Sequence, residues 1–309
     1  MINSIPHIPK AEIHVHLEAT ITPDLCRKMA KRNNVDLSED LFIGQYSYGW
    51  SDFYDFIKKY DIITSVIHTP QDYEELTYSY LKDCAANGVI YVEAMISSTH
   101  AKLKGMTYHS FLEGVAEGAK QAAQDFGIVS KYIMNGIRHL GPKSVYETAN
   151  EVMNNPHPDL VGFGLAGDEL HFPPKLFVQT FNMLKENNFP ITVHAGEWDG
   201  PKSIRDAIEL LHPTRLGHGV RSIEDPNLVK LIRDLDIILE TCPTSNIATR
   251  IYKNYESHPV KTLFDSGIKI TVNSDDPPFF NASIAGEYKV MKNLGLSDDQ
   301  LISLTRNAI

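Results

Sequence analysis

The chain has 309 residues, 42% of them apolar, and a formal net charge of −10 at neutral pH, enough for one large core or two ordinary ones. An acidic balance without a basic stripe argues against binding along a polyanionic backbone, so nucleic acid is not expected as a partner. No apolar run approaches bilayer-spanning length and the opening "MINSIPHIPK" has no apolar leader, so membrane association is not expected either.

In chain order, "AEIHVHLEA" (11–19) reads as the first strand. Side chains alternate across a strand, so Ile13, Val15 and Leu17 share one face while His14 and His16 share the other. Two imidazoles on one face are half of a metal site, or else polar residues on a half-exposed strand. Thr22 before Pro23 starts a helix, hydroxyl as cap and ring at the first helical position. Residues 36–69 form a longer, aromatic-rich connection containing "WSDFYDFIKKYD". Thr69 and Pro70 repeat the start signal, Asn87-Gly88 stops that helix, and "VIYVEAMIS" follows as a buried strand. The alternation continues with helices near 108–126, 143–153, 174–187, 203–211, 226–235 and 259–265. Between and after them lie "IVSKYIMNGI", "LVGFGLAGDE", "PITVHAGE", "TRLGHG", "DIILETCPTSN" and "IKITVNSDDP". A last helix spans "SDDQLISLTRNAI", with Ser297 and Gln300 as a capping box.

Eight short, mostly apolar strands separated by helices predict parallel strands with right-handed crossovers, closed into a single-domain (β/α)8 TIM-type barrel. An open doubly wound sheet is the structural alternative. No linker, low-complexity tract or repeat divides the chain, so one domain is expected over 1–309. Cys26, Cys84 and Cys242 are far apart and odd in number. They read as buried thiols in a reducing compartment, and the expected location is the cytoplasm.

In such a barrel the chemistry sits at the C-terminal ends of the strands. The first strand ends with His14, His16 and Glu18, the fourth with Asp168 and Glu169, and the fifth with His194 and Glu197. The sixth ends with His218, the seventh with Thr241, Ser245 and Asn246, and the eighth with Asp275 and Asp276. Taken singly, His218 after Gly217 reads as a satisfied loop histidine, and an Asp pair before Pro277-Pro278 as a turn and cap. Their coincidence at one rim changes the balance, because burying so many ionisable groups is costly unless they pair or bind a metal. His14, His16, His194 and Asp275 form a nitrogen and oxygen set that suits zinc or another late first-row divalent ion. Such an ion lowers the pKa of a bound water toward neutrality. Glu197, three residues after His194, is placed to protonate a ring nitrogen while hydroxide attacks the adjacent carbon. His218 is the candidate to orient the hydroxide or stabilise developing charge, and Asp276 to bind substrate.

Together "PKAEIHVHLE", "GLAGDE", "TVHAGE", "RLGHG", "ETCPTSN" and "VNSDDPPFF" resemble the adenosine and adenine deaminase family of the amidohydrolase superfamily, in order and over nearly the whole chain. The resemblance implies one zinc ion per chain held by His14, His16, His194 and Asp275. It implies hydrolytic attack at carbon 6 of a 6-aminopurine, with Glu197 protonating N1 and ammonia leaving. His218 and Asp276 would contact the attacking water or the leaving amine; Asp276 would also address N7, and the Gly167 amide N3. Phe56 and Ile57 in "DFIKKYD" match the apolar lid over the purine, which makes the aromatic-rich stretch 36–69 a lid insertion. His16 and Glu18 complete the expected substrate contacts.

The expected substrate is a purine nucleoside, adenosine or deoxyadenosine, since "GLAGDE" resembles the adenosine-directed branch. Glu18-Ala19 departs from the Asp-Gly common in adenosine deaminases, where the aspartate reaches the sugar. Adenine or another N9-substituted 6-aminopurine is therefore the alternative, and a catalytically silent barrel acting as a binding module the distant one. The sequence does not determine the oligomeric state.

Overall fold

A computed structural model describes residues 5–309. Eight parallel strands run in chain order around one sheet: β1 (Lys10–His16), β2 (Val89–Ile96), β3 (Val129–Ile137), β4 (Leu160–Ala166), β5 (Ile191–Ala195), β6 (Arg215–His218), β7 (Ile238–Thr241) and β8 (Ile270–Val272). The sheet closes at its upper rim, where a parallel bridge joins Val15 to Asp275. His16 N donates to Asp275 O at 3.1 Å and Asp275 N to His14 O at 3.2 Å. The fold is a (β/α)8 TIM barrel, and its closing seam runs through the candidate metal ligands.

The strands are apolar on both sides because each is buried twice, by the barrel interior and by the outer helices. This settles the first strand: β1 is buried from Lys10 through Val15 and only His16 is partly accessible, so a half-exposed strand is excluded. It ends at His16, and Leu17–Thr20 coil into a 3-10 turn instead of extending the strand to residue 19.

The helix signals act as expected. Thr22 caps Pro23–Asn33 and Thr69 caps Pro70–Ala86 through a capping box with Asp72; Ser297 and Gln300 form the last box, ahead of Asp298–Ala308. Residues 36–69 are more ordered than a plain connection. A hairpin pairs Phe42–Ile43 with Ser47–Tyr48, and a helix spans Phe53–Thr64. Asp52 starts that helix, accepting from Tyr54 N and Asp55 N at 3.1 Å. Helices Pro277–Phe280 and Ile284–Asn293 add a stretch not expected after β8. All three cysteines are free and buried. Among the described residues no helix is long and apolar enough to cross a membrane.

Candidate active site

His14 and His16 close β1, His194 lies in β5, His218 ends β6, and Asp275 follows β8 on the closing seam. Ring centroids of His14 and His194 are 4.5 Å apart, those of His14 and His218 4.9 Å, and those of His16 and His194 5.3 Å. Asp275 Oδ1 lies 3.6 Å from His14 Nε2 and 3.4 Å from His16 Nε2. Its Oδ2 accepts from Ser245 Oγ at 2.7 Å and lies 3.9 Å from His218 Nε2. One donor atom from each of His14, His194, His218 and Asp275 falls within 4.8 Å of the others, and the same holds for His16, Asp275 and Asp276. The expected ligands thus meet through Asp275, and His218 stands in the same cluster.

The donors suit a divalent cation. His14 Nδ1 donates to Glu240 Oε2 at 2.9 Å, which leaves its Nε2 lone pair buried, without a hydrogen-bond partner, beside Asp275. An orphaned nitrogen in a site of this polarity is costly unless a cation fills it. Burial pulls the pKa of His14 down, yet its pairing with Asp275 and Glu240 outweighs that and lifts it to about 10. The carboxylates call for positive charge at this point. Burial holds His16 at about 4 and His218 at about 3, and burial with the charge of His14 keeps His194 well below the imidazole range. For Asp275 burial works upward, but its bond to His14 and the charges of the surrounding imidazoles hold it below the usual carboxylate range. His218 and Asp275 both have positive φ, 59° and 62°, a conformation that costs a non-glycine residue about 1 kcal/mol or more and recurs at functional sites.

Above the cluster a cavity opens, lined by His16, Phe56, Ile57, Gly167, Glu197 and Asp276, with His194, His218 and Asp275 at its floor. The helix Phe53–Thr64 forms one wall: Phe56 packs on Phe280 at 5.2 Å, Tyr60 stacks on Phe279 at 5.9 Å, and Phe53 meets Trp198 at 4.4 Å. Gly167 sits at φ 103°, and a Cβ there would lie 2.6 Å from His139 Nδ1, so only glycine fits without displacing that ring. Glu197 Oε2 is 3.6 Å from His218 Nε2. Burial pushes the carboxyls of Glu197 and Asp276 well above their usual range, and the charge of Asp275 adds to it in both. Glu18 does not line this cavity. It is buried, and its Oε1 accepts from Ser97 N at 2.9 Å and Tyr73 OH at 3.5 Å.

Three further residues shape the site: Glu169, which stands at a strand end but without an expected role, and Glu240 and Arg138, which a reading of strand ends misses. Glu240, in the middle of the apolar run "IILET", is fully buried. Besides His14 it accepts from Thr192 Oγ1 at 3.0 Å and pairs with Arg215 Nε at 3.0 Å, whose Nη2 reaches Glu93 at 2.7 Å. A charge inside an apolar strand is the signal that marks it. Glu169 accepts from Gly196 N and Ser203 Oγ with one oxygen, at 2.6 and 2.7 Å, and from Glu197 N, Trp198 N and Asp199 N with the other, at 3.1, 2.9 and 3.2 Å. It ties down the backbone that carries Glu197. Arg138, fully buried, donates from Nη2 to His194 O at 2.8 Å. Of the other residues at the strand ends, Thr241 Oγ1 donates to Thr271 O, and Asp168 accepts from His171.

Residues 9–309 match the family described as Adenosine deaminase. Over 304 residues the chain is 40% identical to an adenine deaminase of Sinorhizobium medicae (strain WSM419), covering 98% of this chain and 93% of that protein. The chain belongs to the adenosine deaminase family. It is, with that family, a hydrolase of the C–N bond of cyclic amidines. The crystal structure of an adenine deaminase from Arthrobacter aurescens superposes with a TM-score of 0.90 at 29% identity, covering 97% of this chain and 92% of that one. An amidohydrolase from Burkholderia ambifaria with bound Zn shares the fold with a TM-score of 0.87 at 22% identity, covering 98% and 85%.

Proposed function

We propose that this member of the adenosine deaminase family converts free adenine and water to hypoxanthine and ammonia, with one zinc ion held by His14, His16, His194 and Asp275. The observation that carries the choice of substrate is the 40% identity to an adenine deaminase along 98% of the chain. Of the two substrates weighed from the sequence, this favours the alternative over adenosine. The position of Glu18 agrees with it: the carboxylate at the place of the sugar-directed aspartate is buried off the cavity, and its Oε1 accepts from Ser97 N and Tyr73 OH.

A zinc ion held by these four residues would supply a Lewis acid that makes water nucleophilic near neutral pH. The protein's own groups manage the rest. Glu197, kept protonated by burial and by the neighbouring carboxylates, delivers a proton to N1 as oxygen bonds to C6. Asp276, whose buried Oδ1 lacks a partner among the described residues and whose carboxyl is held protonated in the same way, donates to N7. The Gly167 amide meets N3, and Phe56 and Ile57 in the wall helix cover the purine and exclude water. His218 donates toward the attacking oxygen. The segment 36–69 serves as the lid.

Ultraviolet-monitored deamination by zinc-loaded protein, with adenine and adenosine offered separately, tests this reading. The expected kcat/KM ratio favours adenine by a factor on the order of 100 or more. A ratio favouring adenosine would overturn the choice of substrate.

A further inference from the structure

His218 is the last link of a hydrogen-bond chain whose far end is a backbone amide. Val260 N–H donates to His258 Nδ1 at 3.1 Å. His258 Nε2 meets Asn246 Oδ1 at 3.1 Å, and Asn246 Nδ2 meets His218 Nδ1 at 3.3 Å. His258, Asn246 and His218 are all buried, at 4%, 0% and 1% exposure, out of reach of bulk solvent.

The direction of every bond follows from the first. A backbone N–H donates in all circumstances, so Nδ1 of His258 is an acceptor and carries no proton. A neutral imidazole has one N–H, which must then sit on Nε2 and donate to the Asn246 carbonyl oxygen. The other end of that amide is a pure donor and points at His218 Nδ1. His218 Nδ1 accepts, and its single proton lies on Nε2, the atom 3.6 Å from Glu197 Oε2 and 3.9 Å from Asp275 Oδ2. A rotated Asn246 amide would set donor against donor at His258, so its orientation is determined too.

We infer that Asn246 and His258 are positioning residues that transmit the polarity of the Val260 amide to His218 and hold it as the neutral Nε2–H tautomer, a hydrogen-bond donor in the active site. The inference rests on the deaminase reading and extends it in two ways. His218 enters the reaction with Nε2 already protonated, so it orients the attacking oxygen and does not take its proton; that proton passes to Glu197, which is a carboxylate once it has protonated N1, and from there to the leaving amine. An Nε2 that bears a proton and an Nδ1 occupied by Asn246 also leave His218 without a lone pair for a metal, although it stands in the cluster. His16 differs. The amide beside it, Asn135, places Nδ2 3.4 Å from His16 Nδ1 while its Oδ1 has no partner among the described residues. Among the described residues no second hydrogen bond fixes that amide in one orientation, so His16 is free to turn its Nε2 lone pair to a cation.

The test reads the tautomer directly. Protein labelled with 15N-histidine and loaded with zinc is examined by two-bond 1H–15N correlation, and the His218 ring is assigned by its loss in His218→Asn. The expected spectrum shows His218 protonated at Nε2 and bare at Nδ1. Asn246→Asp replaces the donor that faces His218 Nδ1 by an acceptor of the same size; His218 then turns to the Nδ1–H tautomer. Zinc content is expected to stay at the wild-type level, KM for adenine within a few-fold, and kcat to fall by roughly 10²–10⁴, the scale seen when a catalytic histidine is held in the wrong tautomer. His258→Phe removes the anchor, and a mixture of both His218 tautomers is expected. A wild-type spectrum with the proton on Nδ1 overturns the inference even if neither variant folds. An unchanged His218 tautomer in folded Asn246→Asp does the same. A wild-type Nε2–H tautomer in protein that turns over neither adenine nor adenosine leaves the relay standing and removes the functional reading instead.

Discussion

Glu169→Gln isolates what a single buried carboxylate contributes to the placement of Glu197. Its two oxygens accept five hydrogen bonds, two on Oε1 and three on Oε2. An amide offers only one accepting end. The least costly orientation keeps the carbonyl toward Glu197 N, Trp198 N and Asp199 N and turns the NH2 toward Gly196 N and Ser203. The Ser203 hydroxyl can rotate to accept, but the Gly196 N–H cannot. One orphaned buried donor costs about 1–3 kcal/mol, and three charge-assisted bonds become ordinary ones at about half the strength. Each of those three bonds loses about 0.75–1.5 kcal/mol, so the sum is about 3–7 kcal/mol. Unfolding entropy for a chain of 309 residues is about 0.6 kcal/mol per degree, so the midpoint should drop by about 5–12 °C. The turn carrying Glu197 relaxes with it, and a displacement of about 1 Å at a proton donor costs on the order of 100-fold in kcat. Differential scanning calorimetry and steady-state deamination on the same preparation read both effects. Wild-type kcat with a midpoint within about a degree of wild type would refute the claim that these five bonds place Glu197.

Two further substitutions probe the scaffold. Gly217→Ala puts a Cβ 2.7 Å from His14 Cε1 and 3.1 Å from His194 Nδ1; both rings must move, and zinc affinity measured against a competing chelator should fall about 10–100-fold, whereas unchanged affinity would mean that the rings are not held against this glycine. Glu287, buried on the helix Ile284–Asn293, accepts from Thr244 N at 3.2 Å, and burial raises its pKa from 4.5 to about 8. The folded protein therefore keeps a proton that the unfolded chain releases, so this group's contribution is complete below about pH 4.5 and is lost as pH rises to about 8. Glu287→Gln retains the acceptor for Thr244 and removes the loss, giving a gain on the order of 4 kcal/mol at pH 9 relative to wild type. Urea unfolding from pH 5 to 9 should show the two stability curves diverging upward in pH; parallel curves would count against a buried, protonated Glu287.

Much of the architecture is legible because its signals are local. Thr22, Thr69 and Ser297 announce helices by chemistry within four residues of themselves, and each cap is found where the sequence places it. The helix Phe53–Thr64 was less visible: its aromatics at Phe53, Phe56 and Tyr60 have helical spacing, but they face the active-site cavity and the Phe279–Phe280 pair, partners that only the folded barrel supplies.

By itself the sequence determined the alternation of eight strands and helices, and with it the rim on which His14, His16, Glu197, His218, Asp275 and Asp276 gather, because period and capping are properties of neighbouring residues. Only the tertiary structure decided which polar atoms face one another. Glu240 meets His14 across 226 positions of chain, Glu169 gathers amides 27–30 positions away, and Asn246 stands between His218 and His258. It also withdrew Glu18 from the cavity into bonds with Ser97 and Tyr73. The physical reason is that a buried donor or acceptor must find a partner. In a closed barrel that partner lies on another strand end, at a sequence distance no local pattern records.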